Sequence, residues 1–433
     1  MSKILLFVYI LFTTISLGQT VDKEIKVDSI RIEGNKTTKD FVILRELNFA
    51  VGDTVSKSLL NYNRERVFSL GIFNNVEFAI EKANELNILV INVQESWYIY
   101  PVPFFNWREN TIAKSSYGFF LLYKNFRGRN ETIQALASFG YDPSFNLFYI
   151  NPVISTKYDL SLAFGLFHQT IKNKSLMARA IYKSDFNYKT SGASITLGKR
   201  FNTSNNLFLS LGFSYIDVPI YLPGFNASGS KIDRVPWLQL QYVLDTRNLK
   251  QFSKNGFFGK VELTHNGFGI NNVDYNVFGF DIREYHPIIE DITLKWRINY
   301  RHTFGRVIPL YDYSFLGNGQ YIRGHITEDR EGNNALLGSV ELSYPVIKEW
   351  YFGLKLPLLP KRLTTARIGL QFNIFGDTGT TYNNGERISI SKFDSGWGFG
   401  LTILFLPYNA IRFEYAFDEQ MNGEFNIGSG FAF

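Results

Sequence analysis

The 433-residue sequence contains no cysteine, so it has no disulfide framework, no thiolate metal site, and no residue to which a lipid could be attached after an export signal. Histidine is nearly as scarce. Five are scattered at His168, His265, His286, His302 and His325, none in the paired spacing of a helical zinc site. No internal run reaches the roughly 18 apolar residues that a membrane-spanning helix needs. Phosphate-binding glycine loops and aromatic-basic nucleic-acid surfaces are absent, and Ser194 and Ser210 lie in strand patterns without a Gly-x-Ser-x-Gly elbow. These absences argue against an enzyme, a cofactor, a metal and a nucleic-acid partner. The formal charge of +6 is spread along the chain and reads as solvated surface or lumen charge.

Aromatic residues are what the chain has in excess. It carries 41 Phe and 25 Tyr and is 45% hydrophobic, yet its mean hydropathy is only -0.09. Polar residues must therefore be interleaved with apolar ones, and in two segments the interleaving is strict. Arg412 to Asp418 places Phe413, Tyr415 and Phe417 on one strand face and Arg412, Glu414 and Ala416 on the other. Thr293 to Arg301 places Leu294, Trp296, Ile298 and Tyr300 opposite Lys295, Arg297 and Arg301. A soluble all-β protein is the alternative reading, but its core has no room for so many cations. A barrel with lipid outside and water inside does.

Met1 to Gly18 has Lys3, an apolar stretch from Ile4 to Phe12 and small residues before Gln19, the pattern of a secretory signal peptide. Export and a barrel together point to the outer membrane of a Gram-negative cell. Residues 24–95 then read as a small α+β domain. Val27 to Ile32 alternates as a strand and ends at Gly34-Asn35. Thr37-Thr38-Lys39-Asp40 offers caps for a helix from Phe41 to Leu47, and Ser56 to Ser69 reads as a second helix with Leu59, Leu60, Tyr62, Val67 and Leu70 on its buried face. Two strands follow, at 76–80 and 86–93.

Residues 97–433 show strand, turn, strand, with almost no helical periodicity. The fold class is thus mainly β: a C-terminal transmembrane antiparallel β-barrel behind a small α+β domain. Sixteen strands of about ten residues would use roughly 160 of this region. The clearest strands are 132–140, 159–168, 206–216, 237–245, 257–265, 275–285, 293–304, 338–344, 366–377, 396–405, 410–418 and 425–433.

The first domain resembles a POTRA domain, the periplasmic module of outer-membrane assembly proteins. The resemblance rests on Ile30 to Asn35, Gly52-Asp53, Leu70 to Val76 and Ile91 to Glu95. Most of these residues build the fold, with Gly34 and Gly71 at turns and Phe73 and Val76 between helix and sheet. An exposed edge of such a sheet can pair with an extended client chain. The remainder resembles the barrel of the POTRA-plus-barrel superfamily of assembly factors and two-partner secretion translocators. Asn125 to Asn130, Asn151-Pro152 and Asp245-Thr246-Arg247 with Asn255-Gly256 are similar to family segments, the last lacking the usual proline before its glycine.

The most diagnostic piece is Gly319 to His325. It is similar to the Arg-Gly-aromatic tip of the family's long sixth loop, with His325 in place of the aromatic. Phe375-Gly376-Asp377-Thr378-Gly379 is similar to the family's Phe-x-Asp-x-Gly motif. The resemblance implies that Arg323, with Gly324 beside it, is held in the lumen by Asp377 and by a glutamate on the strand after the loop, matched by Glu341; Phe375 and Gly379 belong to the same brace. Parity supplies an independent reason. Val340, Leu342 and Tyr344 share a greasy face, as do Ile368, Leu370, Phe372 and Ile374, so Glu341, Phe375 and Asp377 point inward.

The chain ends on Gly428, Phe431 and Phe433, the spacing of the C-terminal signal of outer-membrane barrels. If the first barrel strand lies near Ile99 to Trp107, it would close against this last strand, weakly, because Pro101 and Pro103 lack donors. The resemblance implies a factor that assists folding and insertion of β-barrel proteins into the outer membrane. Its expected partners are unfolded barrel clients, outer-membrane lipids, and periplasmic chaperones or lipoproteins. A two-partner secretion pore and a passive channel remain the alternatives, although the single POTRA segment and the lack of a plug helix set the chain apart from the secretion proteins.

Overall fold

The computed structural model describes residues 24–107, 115–141, 143–183, 185–289, 291–316, 321–357 and 359–430. The expected signal peptide, residues 1–18, lies outside the described residues, as do Gly319, Gln320, Phe431 and Phe433.

The N-terminal unit runs β1 (Ile25–Lys26), β2 (Ser29–Glu33), α1 (Asp40–Leu44), β3 (Thr54–Val55), α2 (Lys57–Phe68), β4 (Phe73–Ala83) and β5 (Leu86–Glu95). β5 is the middle strand, parallel to β2 and antiparallel to β4, while β1 pairs with β3. Alternation in β4 and β5 sends Val76, Leu89, Ile91 and Val93 into a core shared with Val42, Ile43, Val67 and Phe68. Burying side chains such as Val67 and Phe68 contributes about 1.5–3 kcal/mol each. At the β2 turn, Gly34 has φ +86°, and a Cβ there would lie 2.0 Å from the Val93 carbonyl oxygen, so the position admits only glycine. Ser56 caps α2 by accepting from the Leu59 amide, worth about 1 kcal/mol.

Of the four candidate caps, Lys39 is the N-cap of α1, with no side-chain bond. Thr37 and Thr38 are drawn instead to buried Glu95, whose Oε1 accepts from both amides at 2.8 and 2.7 Å and from Thr38 Oγ1 at 2.9 Å. On α2, Leu59, Leu60, Tyr62 and Leu70 are only half-buried, whereas Asn63, Arg66, Val67 and Phe68 are covered. The helix has a second neighbour that periodicity cannot reveal: the turns of the barrel.

The barrel strands are β6 (Ile99–Trp107), β7 (Ser115–Phe126), β8 (Glu131–Gly140), β9 (Ser144–Ser155) and β10 (Leu160–Lys172), followed after a loop helix α3 (Leu176–Tyr182) by β11 (Asn187–Arg200), β12 (Asn205–Asp217), β13 (Ile232–Asp245), β14 (Gly256–Asn266), β15 (Tyr275–Ile289) and β16 (Ile292–Gly305). A long loop carrying the short pair β17 (Ser314–Leu316) and β18 (Arg330–Gly332) leads to β19 (Asn334–Gly353), β20 (Thr365–Tyr382), β21 (Asp394–Leu406), β22 (Asn409–Phe417) and β23 (Gly423–Ser429). Omitting β17 and β18, these form one sixteen-stranded antiparallel sheet in which each strand pairs with its neighbours in the chain. The order ends at β6 and β23. Among the described residues no ladder joins those two, so the expected closing pair is not seen there.

Outward residues are apolar and exposed, as at Phe399, Leu401, Phe413 and Tyr415, while their inward neighbours Thr402, Arg412 and Glu414 are buried. Inward polar residues are covered along β19 to β22, where the tip of the long loop is seated, and half-exposed along much of β10 to β12, where the start of the loop packs Leu310 and Tyr311 only near the strand ends.

The POTRA-like unit sits on the mouth formed by the turns that follow odd-numbered barrel strands, from β7–β8 to β21–β22. Its core continues into Leu249, Phe252, Leu404, Leu406 and Ala410 of the barrel. Arg367 on β20 grips Glu65 on α2 through two hydrogen bonds of 3.0 and 2.9 Å. Burial works against the Glu65 carboxylate, but Arg367 outweighs it and holds its pKa below the ordinary value. The three early family segments meet here: Lys39 N donates to Gly128 O at 2.8 Å, Arg45 Nη1 to Pro152 O at 3.0 Å, and Tyr62 Oη to Thr246 O at 3.1 Å.

Candidate functional site

Three strands and one loop build the lumen site. β19 brings Glu341, β20 brings Phe375 and Asp377, and β22 brings Glu414, all at inward positions of the alternation. The loop between β16 and β19 lays Arg323 among them, 4% exposed. Asp377 is gripped by both sides of the guanidinium, Nε to Oδ2 at 2.7 Å and Nη2 to Oδ1 at 2.8 Å, and accepts the Arg323 amide at 3.1 Å as well. Nη1 donates to Glu341 Oε2 at 3.1 Å and to Glu414 Oε1 at 3.2 Å. The planar cation lies 3.6 Å from the centroid of the Phe375 ring, a stacked cation–π contact.

The charges balance. Lys295 Nζ donates to the other oxygen of Glu341 at 3.0 Å, and Arg412 Nη1 donates to Glu414 at 2.9 Å. Three cations thus face three carboxylates in a water-poor space, where charge-assisted and bidentate bonds are strongest. Glu341 and Asp377 stand where parity placed them. Glu414, Lys295 and Arg412 complete the chain of charges, and their inward parity was already written in the alternation of residues 293–301 and 412–418.

Close approach requires glycine at two positions and favours it at a third. A Cβ on Gly396 would lie 1.9 Å from Arg323 O, and one on Gly324, at φ +102°, would lie 2.6 Å from Phe417 O. A Cβ on Gly379 would press on Ile322 and Leu316 at 3.2 and 3.1 Å. The loop backbone is therefore seated directly on β20 to β22. Glu424, just inside β23, pins it further by accepting from Gly324 N at 2.7 Å and Ile326 N at 3.0 Å.

His325 does not pack as an aromatic would. Its Nε2 lies 2.9 Å from Glu419 Oε2 and its Nδ1 3.2 Å from Glu328 Oε1. Burial disfavours the imidazolium, but these two carboxylates overcome it and raise the pKa above its ordinary value. His325, Asp394 and Glu419 bring ligand atoms within 4.8 Å of one another. Arg330 already pairs with Asp394 and the Ser395 amide with Glu419, so those carboxylates are in use.

Of the C-terminal signal, only Gly428 is described. It pairs with Arg412, and a Cβ there would meet the Arg412 guanidinium at 2.7 Å, so the glycine keeps the space across which that arginine lies.

The same fold occurs in solved structures. BamA from Haemophilus ducreyi lacking POTRA domains 1–3 aligns over 94% of this chain and 84% of its own, at 19% identity and a TM-score of 0.54. CdiB from Escherichia coli aligns over 93% and 75%, at 11% identity and a TM-score of 0.52. Residues 25–96 match the POTRA family described as a surface antigen variable number repeat. Residues 125–433, the greater part of the chain and the whole lumen brace, match the Omp85 superfamily domain, and the protein belongs to that superfamily.

Proposed function

We propose that this protein resides in the outer membrane, POTRA domain on the periplasmic side, and assists the folding and insertion of other β-barrel proteins. The observation that carries the reading is the pair of sheet ends, β6 and β23, left without a mutual ladder among the described residues. An unfolded client cannot enter lipid with its backbone groups unpaired, and a sheet edge beside the bilayer gives it a template. β6 suits this task. Pro101 and Pro103 share one parity while the β6–β7 register runs unbroken from Ile99 to Trp107, so the missing donors weaken the side away from β7. In the POTRA domain β2 is a second edge, its residues half-buried or exposed, available to hand on an extended segment. The Arg323 brace, seated on β19 to β22 and pinned to β23 by Glu424, keeps the wall on the β23 side rigid while the seam works. No catalytic residue, nucleotide or cofactor enters this scheme, because completing hydrogen bonds and burying lipid-facing side chains supplies the driving force.

The rival reading, a translocating pore, draws on the likeness of fold to CdiB and on the half-exposed polar lining of β10 to β12. Because the chain lacks cysteine, single introduced thiols separate the two. Phe105→Cys on the lipid-facing side of β6 should cross-link to a cysteine in a stalled barrel client, and Thr196→Cys in the lumen wall should not. Cross-linking at Thr196→Cys alone would mean passage through the lumen and would overturn the proposal.

A further inference from the structure

Between the POTRA domain and the barrel turns lies a cleft of about 290 Å³ whose charge is strongly one-sided. Arg45 and Arg66 from the POTRA domain, Arg129 and Arg200 from the ends of β8 and β11, and Lys250 from the β13–β14 turn all line it, against the single carboxylate of Glu46. Glu46 is fully used. It takes Arg66 Nη2 at 3.2 Å and Arg200 Nη1 at 2.8 Å. Burial would raise its pKa, but Arg200, Lys250 and Arg66 together hold it below the ordinary value. The other nearby acids do not even the account. Glu131 is shared by Arg127 and Arg129, Asp245 is gripped by Arg247, and Asp159 stands in the adjoining hollow beside Arg45 and Arg200.

The guanidiniums also have unspent donors. Arg45 Nε, Arg66 Nε and Arg200 Nη2 are buried without a hydrogen-bond partner. Leaving a buried donor unsatisfied is costly, more so on a charged group, and three on one cleft is a concentration that calls for an anion. Burial and the proximity of Arg200 lower the pKa of Arg45 itself. The cavity has room for about ten waters at roughly 30 Å³ each, and one edge is formed by Ile150 and Phe208, which the register places on the lumen face with Ala163 and Gly198.

We infer that this cleft binds a phosphoryl anion, free or as the headgroup of a phospholipid. Arginine forks match phosphate oxygens two at a time, and a small swing of Arg45 or Arg200 brings the unspent donors to bear. The site tethers the POTRA domain to the barrel rim when filled and leaves mutually repelling cations at that joint when empty. It stands whether or not the chain folds clients.

The test is calorimetric titration of the detergent-purified full chain with inorganic phosphate, and separately with dihexanoyl phosphatidylglycerol against dihexanoyl phosphatidylcholine. Arg45→Gln and Arg200→Gln should each weaken binding tenfold or more, and Arg387→Gln, an exposed arginine at the other mouth, should not. Folding of every variant is checked by its heat-induced gel shift; Arg45, held by one hydrogen bond to Pro152 O, is the safer of the two sites. Binding of phosphate itself assigns the free anion as sufficient, and binding of the phosphatidylglycerol alone assigns the headgroup. Binding of neither, or equal binding by Arg45→Gln and the native chain, would overturn the inference.

Discussion

Replacing Arg323 by alanine removes four side-chain hydrogen bonds from a residue that is 4% exposed. It leaves Asp377, Glu341 and Glu414 facing only Lys295 and Arg412. Breaking a buried ion pair by deleting one partner costs roughly 3–5 kcal/mol, equivalent to about two to four powers of ten in the equilibrium between seated and released loop. Glu424 still holds the Gly324 and Ile326 amides, so the loop loosens rather than leaves. The readouts are the temperature at which the folded gel band is lost and the rate of proteolysis within residues 306–333. Arg323→Ala should lower the first and raise the second, and Asp377→Asn should do the same to a smaller extent. The sign of the double variant is decisive. With Arg323 gone, Asp377 is an uncompensated buried charge, so Asp377→Asn in that background should restore stability. Unchanged heat resistance in both single variants, or a double variant that sums their losses, would refute the brace.

Further outcomes follow from the same contacts. His325 has a raised pKa, so the stability it contributes is complete below the ordinary value of 6.5 and is lost as pH rises through the higher folded-state value; loop proteolysis should quicken over that range, and His325→Phe should abolish the dependence. Glu65 is shifted the other way. Its contribution to POTRA docking is present above the ordinary 4.5 and disappears as pH falls through its lower folded-state value, so hydrogen exchange of α2 should accelerate in acid, and Glu65→Gln should remove that step. Gly396→Ala should unseat the loop about as effectively as Arg323→Ala, because its Cβ would overlap the Arg323 carbonyl; normal protease resistance in that variant would contradict the packing.

The barrel was legible wherever lipid faced one side and charge the other. Residues 410–418 and 293–304 declared themselves by strict alternation. β11 did not, since Thr190 to Ser194 is small on both faces and offers no hydrophobic contrast. The lumen pair of Glu341 and Asp377 was readable from parity, and Glu414 carried the same signal unrecognised, because a carboxylate beside Arg412 looks already satisfied in sequence. Glu424 could not be found this way, as it binds backbone amides whose approach depends on the loop path. The docking of the POTRA domain was the least legible feature. Arg66 reads as part of the wet face of an amphipathic helix, and only the tertiary arrangement turns it towards Asp245 O and Thr203 O. The segments at Asn125, Asn151 and Asp245 were visible as patterns, but their shared purpose, meeting the POTRA domain, is a property of space rather than of spacing.

The central claim is that this chain speeds the assembly of other barrels. The most direct measurement is the folding rate of an urea-unfolded outer-membrane barrel added to liposomes containing the purified protein, compared with empty liposomes and with liposomes containing a variant that lacks residues 24–95. Acceleration by the intact chain that is reduced when the POTRA domain is absent is the expected result. An unchanged folding rate accompanied by steady ion conductance would contradict the account and leave a pore.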